Sequence, residues 1–189
     1  MLTLVALLLA APAPSAPEPE RALLDAFRAA CSRTGNDIGP MKADAARSGW
    51  TEMAEDSEPR VARLVRMGRE ATEKEGTATG ATYRRRLGGR DIFLIVSRYQ
   101  DKSGFWGTGC RLYDFEATRP LEARLLNKWM GKPPTGVQEP APGLSKRLWE
   151  PGWRDGITLE VNYVPLNHPA GQSYGLSGNI LVAQAIGGF

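Results

Sequence analysis

Residues 90–115, RDIFLIVSRYQDKSGFWGTGCRLYDF, decide the fold. Five consecutive apolar residues, Ile92, Phe93, Leu94, Ile95 and Val96, are too few for an amphipathic helix and have the composition of a strand buried on both faces. They predict a central strand. Upstream, 83–87 reads as its partner, and Gly88-Gly89 supplies two residues tolerant of positive φ for a tight hairpin. Downstream, Asp101-Lys102-Ser103-Gly104 is turn composition leading into a strand over 105–115. Period 2 puts Trp106, Thr108, Cys110 and Leu112 on one face of that strand and Phe105, Gly107, Gly109, Arg111 and Tyr113 on the other. Gly107 and Gly109 share a face, which predicts that something bulky, such as a helix, approaches the sheet there.

Outward from this hairpin, apolar residues at helical spacing predict a helix over 20–31 with Leu23, Leu24, Phe27 and Cys31 on one stripe. A second helix over 40–48 has Pro40 early and Gly49 just past its end, and Trp50 then drops into the core. A third, over 59–73, turns Val61, Leu64, Val65 and Gly68 inward and sets Arg60, Arg63, Arg66 and Arg69 along an adjacent stripe. Residues 76–80 read as a flexible connector. After the three strands, Thr118 and Pro120 open a helix with Leu121, Leu125 and Trp129 on one stripe, closed by Gly131. A Pro- and Gly-rich loop, 132–143, precedes strands at 146–150, 157–163 and 176–186, with a loop at 167–175. The expected fold is α+β: a mainly antiparallel sheet of about six strands, with the N-terminal helices and the mid-chain helix packed on one face. Strand and helix do not alternate, which argues against a doubly wound parallel sheet.

The chain has 189 residues, 42% hydrophobic and 24% charged, enough for one domain with a real core. Residues 2–11 are almost wholly apolar and run into Ala-Pro-Ala-Pro-Ser-Ala-Pro, the pattern of a secretory signal peptide, although no Lys or Arg precedes the apolar run. Cleavage between Ser15 and Ala16 divides the chain into a signal peptide, 1–15, and a single domain, 16–189, expected to be periplasmic or secreted. No transmembrane span is expected in the mature part. Two cysteines in an exported chain are more often paired than free, so a Cys31–Cys110 disulfide is expected, with two separate buried thiols as the alternative.

Net charge is +3, and the excess is local: residues 60–90 hold nine basic residues against three acidic ones. Arg84, Arg85 and Arg86 are candidate contacts to an anionic surface such as lipid head groups or acidic glycan; a solvated helix face and an arginine-rich strand edge account for the same charges. Nucleic acid is not an expected partner, since export removes it and no recognition module is present.

A helix ending in Cys31-Ser32-Arg33-Thr34-Gly35, a second closing in Ala46-Arg47-Ser48-Gly49-Trp50, and a late strand pair over 149–165 together resemble small exported proteins of α-proteobacteria. The resemblance implies export and carries no activity or functional residue.

Motifs for chemistry fail on context. Gly171-Gln172-Ser173-Tyr174-Gly175 matches G-x-S-x-G, but the nucleophile elbow needs a following helix, whereas a strand is predicted here. The one histidine, His168, also precedes Ser173 instead of following it. One His and two distant Cys lack zinc-ligand spacing, no phosphate loop occurs, and no cofactor is implied. A carboxylate pair for glycoside hydrolysis stays open, because its spacing is set only in three dimensions. Trp149 and Trp153 flank the Pro151-Gly152 turn and are candidates for a stacking platform at a hairpin tip; rings covering the core edge are the alternative. The expected function is a non-enzymatic exported domain that binds an envelope component or protein partner through the sheet's open face or its hairpin tips. Two alternatives remain: a hydrolase of envelope material, using a carboxylate pair or the loop holding His168 and Ser173, and a small-ligand carrier with a pocket between helices and sheet.

Overall fold

Both faces of the central strand are buried, and this sets the layers. The computed structural model describes residues 19–189, so the expected signal segment, 1–15, lies outside the described residues. In β3 (Arg90–Asp101), Ile92, Leu94 and Val96 are 0% exposed on one face, while Phe93 and Ile95 are 4% and 8% exposed on the other. A strand with no polar side in its middle needs cover above and below.

Strand β2 (Gly76–Leu87) pairs antiparallel with β3 through Gly88 and Gly89, which take φ of 56° and 83°, the conformations a tight hairpin requires. On its other side β3 pairs with β4 (Trp106–Asp114), and the last strand of the chain, β8 (Gly178–Gly187), lies along β4. Outward from β8 come β7 (Thr158–Val164), β6 (Ser145–Trp149) and β5 (Gly136–Gln138); β1 (Thr51–Met53) forms the opposite edge beside β2. The result is one eight-stranded sheet, all antiparallel, in the order β1-β2-β3-β4-β8-β7-β6-β5.

Helices α1 (Pro19–Cys31), α2 (Gly39–Arg47) and α4 (Ala123–Met130) cover one face. There Leu24, Phe27, Met41 and Leu126 join Leu94, Leu112 and Leu181 in the larger core. The amphipathic face of α1 ends at Cys31, which is disulfide-bonded to Cys110 of β4 with the Cα atoms 5.6 Å apart. Helix α3 (Pro59–Glu70) lies on the opposite face, where Val61 packs with Phe93, Tyr113, Phe115 and Val182. A short helix, α5 (Pro169–Tyr174), leads into β8.

The expected fold needs five corrections. The sheet has eight strands, not six, because β1 and β5 are three residues each and too short to carry a period. Helix α3 sits apart from α1, α2 and α4, on the second face. Residues 76–80, read as a connector, begin β2; Gly76 and Gly80 weaken the strand signal without preventing pairing to Asp101 and Ser97. The loop read at 167–175 contains α5. Leu121 is buried but precedes α4, whose inward residues are Leu126 and Trp129.

Candidate functional site: the cleft between α3 and the sheet

The two halves of α3 meet the sheet differently. The N-terminal half is pinned. The Glu58 carboxylate accepts the Val61 N–H at 2.9 Å and pairs with Arg60 at 2.7 Å, while the Arg60 guanidinium lies 4.4 Å from the Phe115 ring centroid. Arg63 donates to Ser173 O at 2.7 Å, tying α3 to α5. Beyond this, Leu64, Val65 and Gly68 face a part of the sheet floored by Ala78 and Gly80 of β2, Ser97 of β3 and Gly107 and Gly109 of β4. Small residues on three neighbouring strands leave a trough under the helix. It forms a cleft of about 460 Å³, within the usual range for small-molecule sites.

The cleft is mainly apolar, and one cation lies in its floor. Arg111 is on the Gly107 and Gly109 face of β4, as strand alternation predicts, and its guanidinium folds back over Gly109. A Cβ at Gly109 would overlap it. Its Nη1 donates to Ser97 Oγ at 3.0 Å. Gln184 of β8 sits across from Gly109 on the other side, opposite Ser97. At the rim, Arg69 and Glu55 pair at 2.7 Å, Tyr99 and Phe105 have centroids 6.4 Å apart, and Ile186 is 58% exposed. The Tyr113 phenol is pushed up by burial, with Arg111 pulling the other way.

A second cavity, of about 470 Å³, opens at the far end of β4 beneath the start of α1. Asp114 lines it with a fully buried side chain. Arg90 Nη1 stands 3.0 Å from Asp114 Oδ2, close enough for charge attraction, but neither carboxylate oxygen receives a well-directed hydrogen bond. Burial pushes the Asp114 carboxyl up from the ordinary aspartate range, with the Arg90 charge and the nearby backbone N–H groups of Glu116 and Ala117 opposing. The folded chain then binds this proton more tightly than the unfolded chain. Acidification into the interval between the two pKa values stabilises the fold, and above the native value the buried anion costs stability in full. Asp114→Asn removes the titration and keeps the shape. The melting temperature of the wild type should rise relative to that of the variant as pH falls from 7 towards about 4. Parallel curves over that range would give Asp114 the pKa of an ordinary aspartate.

The residues singled out from sequence lie elsewhere. Trp149 is 0% exposed, and its Nε1 donates to Lys132 O at 3.2 Å. Trp153 is half-buried and packs 5.5 Å from Phe27 and 6.0 Å from Trp129 between ring centroids. Trp149 lies in the larger core and Trp153 packs against it, the alternative that stood beside a stacking platform. The arginine triplet is split by strand alternation. Arg84 and Arg86 are exposed, whereas Arg85 turns to the helical face and donates to Ser48 O at 2.6 Å. Ser173 lies inside α5 and donates to Pro169 O at 3.3 Å, so it does not stand on a strand-to-helix elbow; His168 lies in the turn before α5. Among the described residues no group of three or more His, Cys, Asp or Glu is arranged to hold a metal ion, and no helix is long and apolar enough to cross a membrane.

Arg111 and Asp114 were not singled out from the sequence. For Arg111 a signal existed, a charged residue on the glycine face of an interior strand. For Asp114 none did, since its burial depends on α1 and β8. No protein-family profile, curated protein or solved structure matches the chain.

Proposed function

We propose that the chain is an exported small-ligand binding module whose site is the cleft between α3 and the sheet. The observation that carries this reading is the trough itself. Five floor positions on three adjacent strands are Ala, Ser or Gly, while the helix above is held at its first turn and by Arg63 and Arg69. A helix fixed over floor positions with side chains this small keeps a space that a packed core would close. Export is supported by the disulfide, since such bonds persist in oxidising compartments such as the periplasm or the cell exterior. The resemblance to small exported α-proteobacterial proteins points the same way.

Gly68 provides the test. It lines the cleft from α3, and a Cβ there would meet nothing within 4 Å. Gly68→Trp therefore fills the cleft without disturbing the helix, and replacing Gly inside a helix is itself favourable. Wild-type protein should bind one equivalent of a neutral solvatochromic dye such as Nile red, with a blue-shifted emission. The variant should bind it about tenfold or more weakly at an unchanged denaturation midpoint. Equal dye binding by both proteins would overturn the assignment of the cleft.

A further inference from the structure

We infer that the ligand is a single-chain amphiphile with one negative charge, a carboxylate, and that Arg111 receives its head; this rests on the cleft being the ligand site.

The argument starts from the cost of Arg111. Its position is in the middle of an interior strand, facing Ile95 on one neighbour and Val182 on the other, with Tyr113 two residues along the same face. Those three residues belong to the apolar cluster of that face, so packing alone would favour another apolar side chain here. A half-buried guanidinium is instead seated on Gly109, whose missing Cβ makes the seat possible.

The charge is uncompensated. Among the described residues none of the ion pairs involves Arg111, and the acidic residue at the rim, Glu55, is already engaged by Arg69. An arginine carries five N–H donors and stays protonated, and the hydrogen bond to Ser97 Oγ uses one of them. The remaining donors form the planar fork that matches a carboxylate in two parallel bonds. The Ser97 hydroxyl keeps its own proton to donate, and Gln184 stands on the opposite side of the guanidinium. Of the three arginines that line the cleft, Arg69 is paired with Glu55 and Arg98 donates to Asn36 O and Gln100 Oε1, so Arg111 is the cation left to balance one anion, which disfavours a dianionic phosphomonoester. Leu64, Val65 and the exposed Ile186 line the walls that an alkyl chain would follow outward.

The probes are decanoate, decanol and decyltrimethylammonium, titrated calorimetrically into the full folded domain, with decylphosphocholine added to distinguish a carboxylate from a phosphodiester head. Decanoate should bind about tenfold or more tightly than decanol, the cation should bind most weakly, and added salt should narrow the difference. Arg111→Met should bring decanoate down to the affinity of decanol while leaving decanol binding in place. Gly109→Ala, whose Cβ displaces the guanidinium from its seat, gives a second variant with the charge retained, and it should lose the same preference. Equal affinities for decanoate and decanol in the wild type, a preference that survives Arg111→Met, or tighter binding of decylphosphocholine would each overturn the carboxylate inference and leave the cleft as a site. Failure of every decyl probe and of the neutral dye would overturn both.

Discussion

Replacing Cys31 and Cys110 together by alanine should lower the unfolding free energy by about 4 to 5 kcal/mol, the chain-entropy cost of opening a loop whose ends are 79 residues apart. The bridge joins the end of α1 to the middle of β4, and between those points lie α2, β1, α3, β2 and β3. Without it, the unfolded chain is free to separate the N-terminal helix from the sheet, so the effect falls mainly on the unfolded ensemble. Alanine is preferred to serine because both sulfurs are fully buried and an unpaired hydroxyl would add its own desolvation cost. Guanidinium unfolding of the oxidised protein and of the double variant gives the difference directly. A loss below about 1 kcal/mol would mean that the unfolded double variant stays compact enough for the bridge to constrain it little.

Trp149→Ala should cost a further large amount, about 3 to 5 kcal/mol, by leaving a cavity in the larger core. The indole is 0% exposed at the end of β6, and its removal also takes the donor from Lys132 O. Trp153→Ala should cost less, because that ring is half-buried and meets the core from its edge. Denaturation midpoints of the two variants order them. If Trp149→Ala proved the milder of the pair, the ring at 149 would lie outside the core and the hairpin-tip platform would return as a site. The same comparison separates stability from binding: neither tryptophan lines the cleft, so the dye and decyl affinities of the folded variants should stay at wild-type values.

The two faces of the sheet divide these effects between them. The disulfide and Trp149 act on the face closed by α1, α2 and α4, where substitution changes stability. Gly68, Gly109 and Arg111 act on the face that α3 covers only at its first turns, where substitution should change binding. A half-buried cation with no ion pair bears a desolvation cost without a Coulombic return, so replacing Arg111 by Met should cost little stability.

Local sequence by itself determined the parts whose signal is periodic or stereochemical. The unbroken apolar run at 92–96 specified a strand buried on both faces, and Gly88-Gly89 specified its hairpin. Strand alternation placed Arg111 on the face of Gly107 and Gly109, opposite Cys110, and helical spacing set the stripe of α1 that ends in Cys31. The α+β class followed from the order of these elements. Tertiary structure alone decided the rest. Pairing of β4 with β8 joins residues more than sixty positions apart, and no local pattern encodes which strand will close that edge. Three-residue strands such as β1 and β5 have no measurable period, and they exist because longer neighbours offer them an edge. The expected fold put every helix on one face although a strand buried on both faces needs cover on both, and it is the packing of Val61 against Phe93, Tyr113 and Val182 that sets α3 on the second face. Between two disulfide-competent cysteines and two buried thiols, it was the docking of α1 on β4 that chose. The cleft has the same origin: glycine and alanine weaken a strand signal wherever they occur, and only the stacking of β2, β3 and β4 in register gathers them under one helix with a single arginine among them.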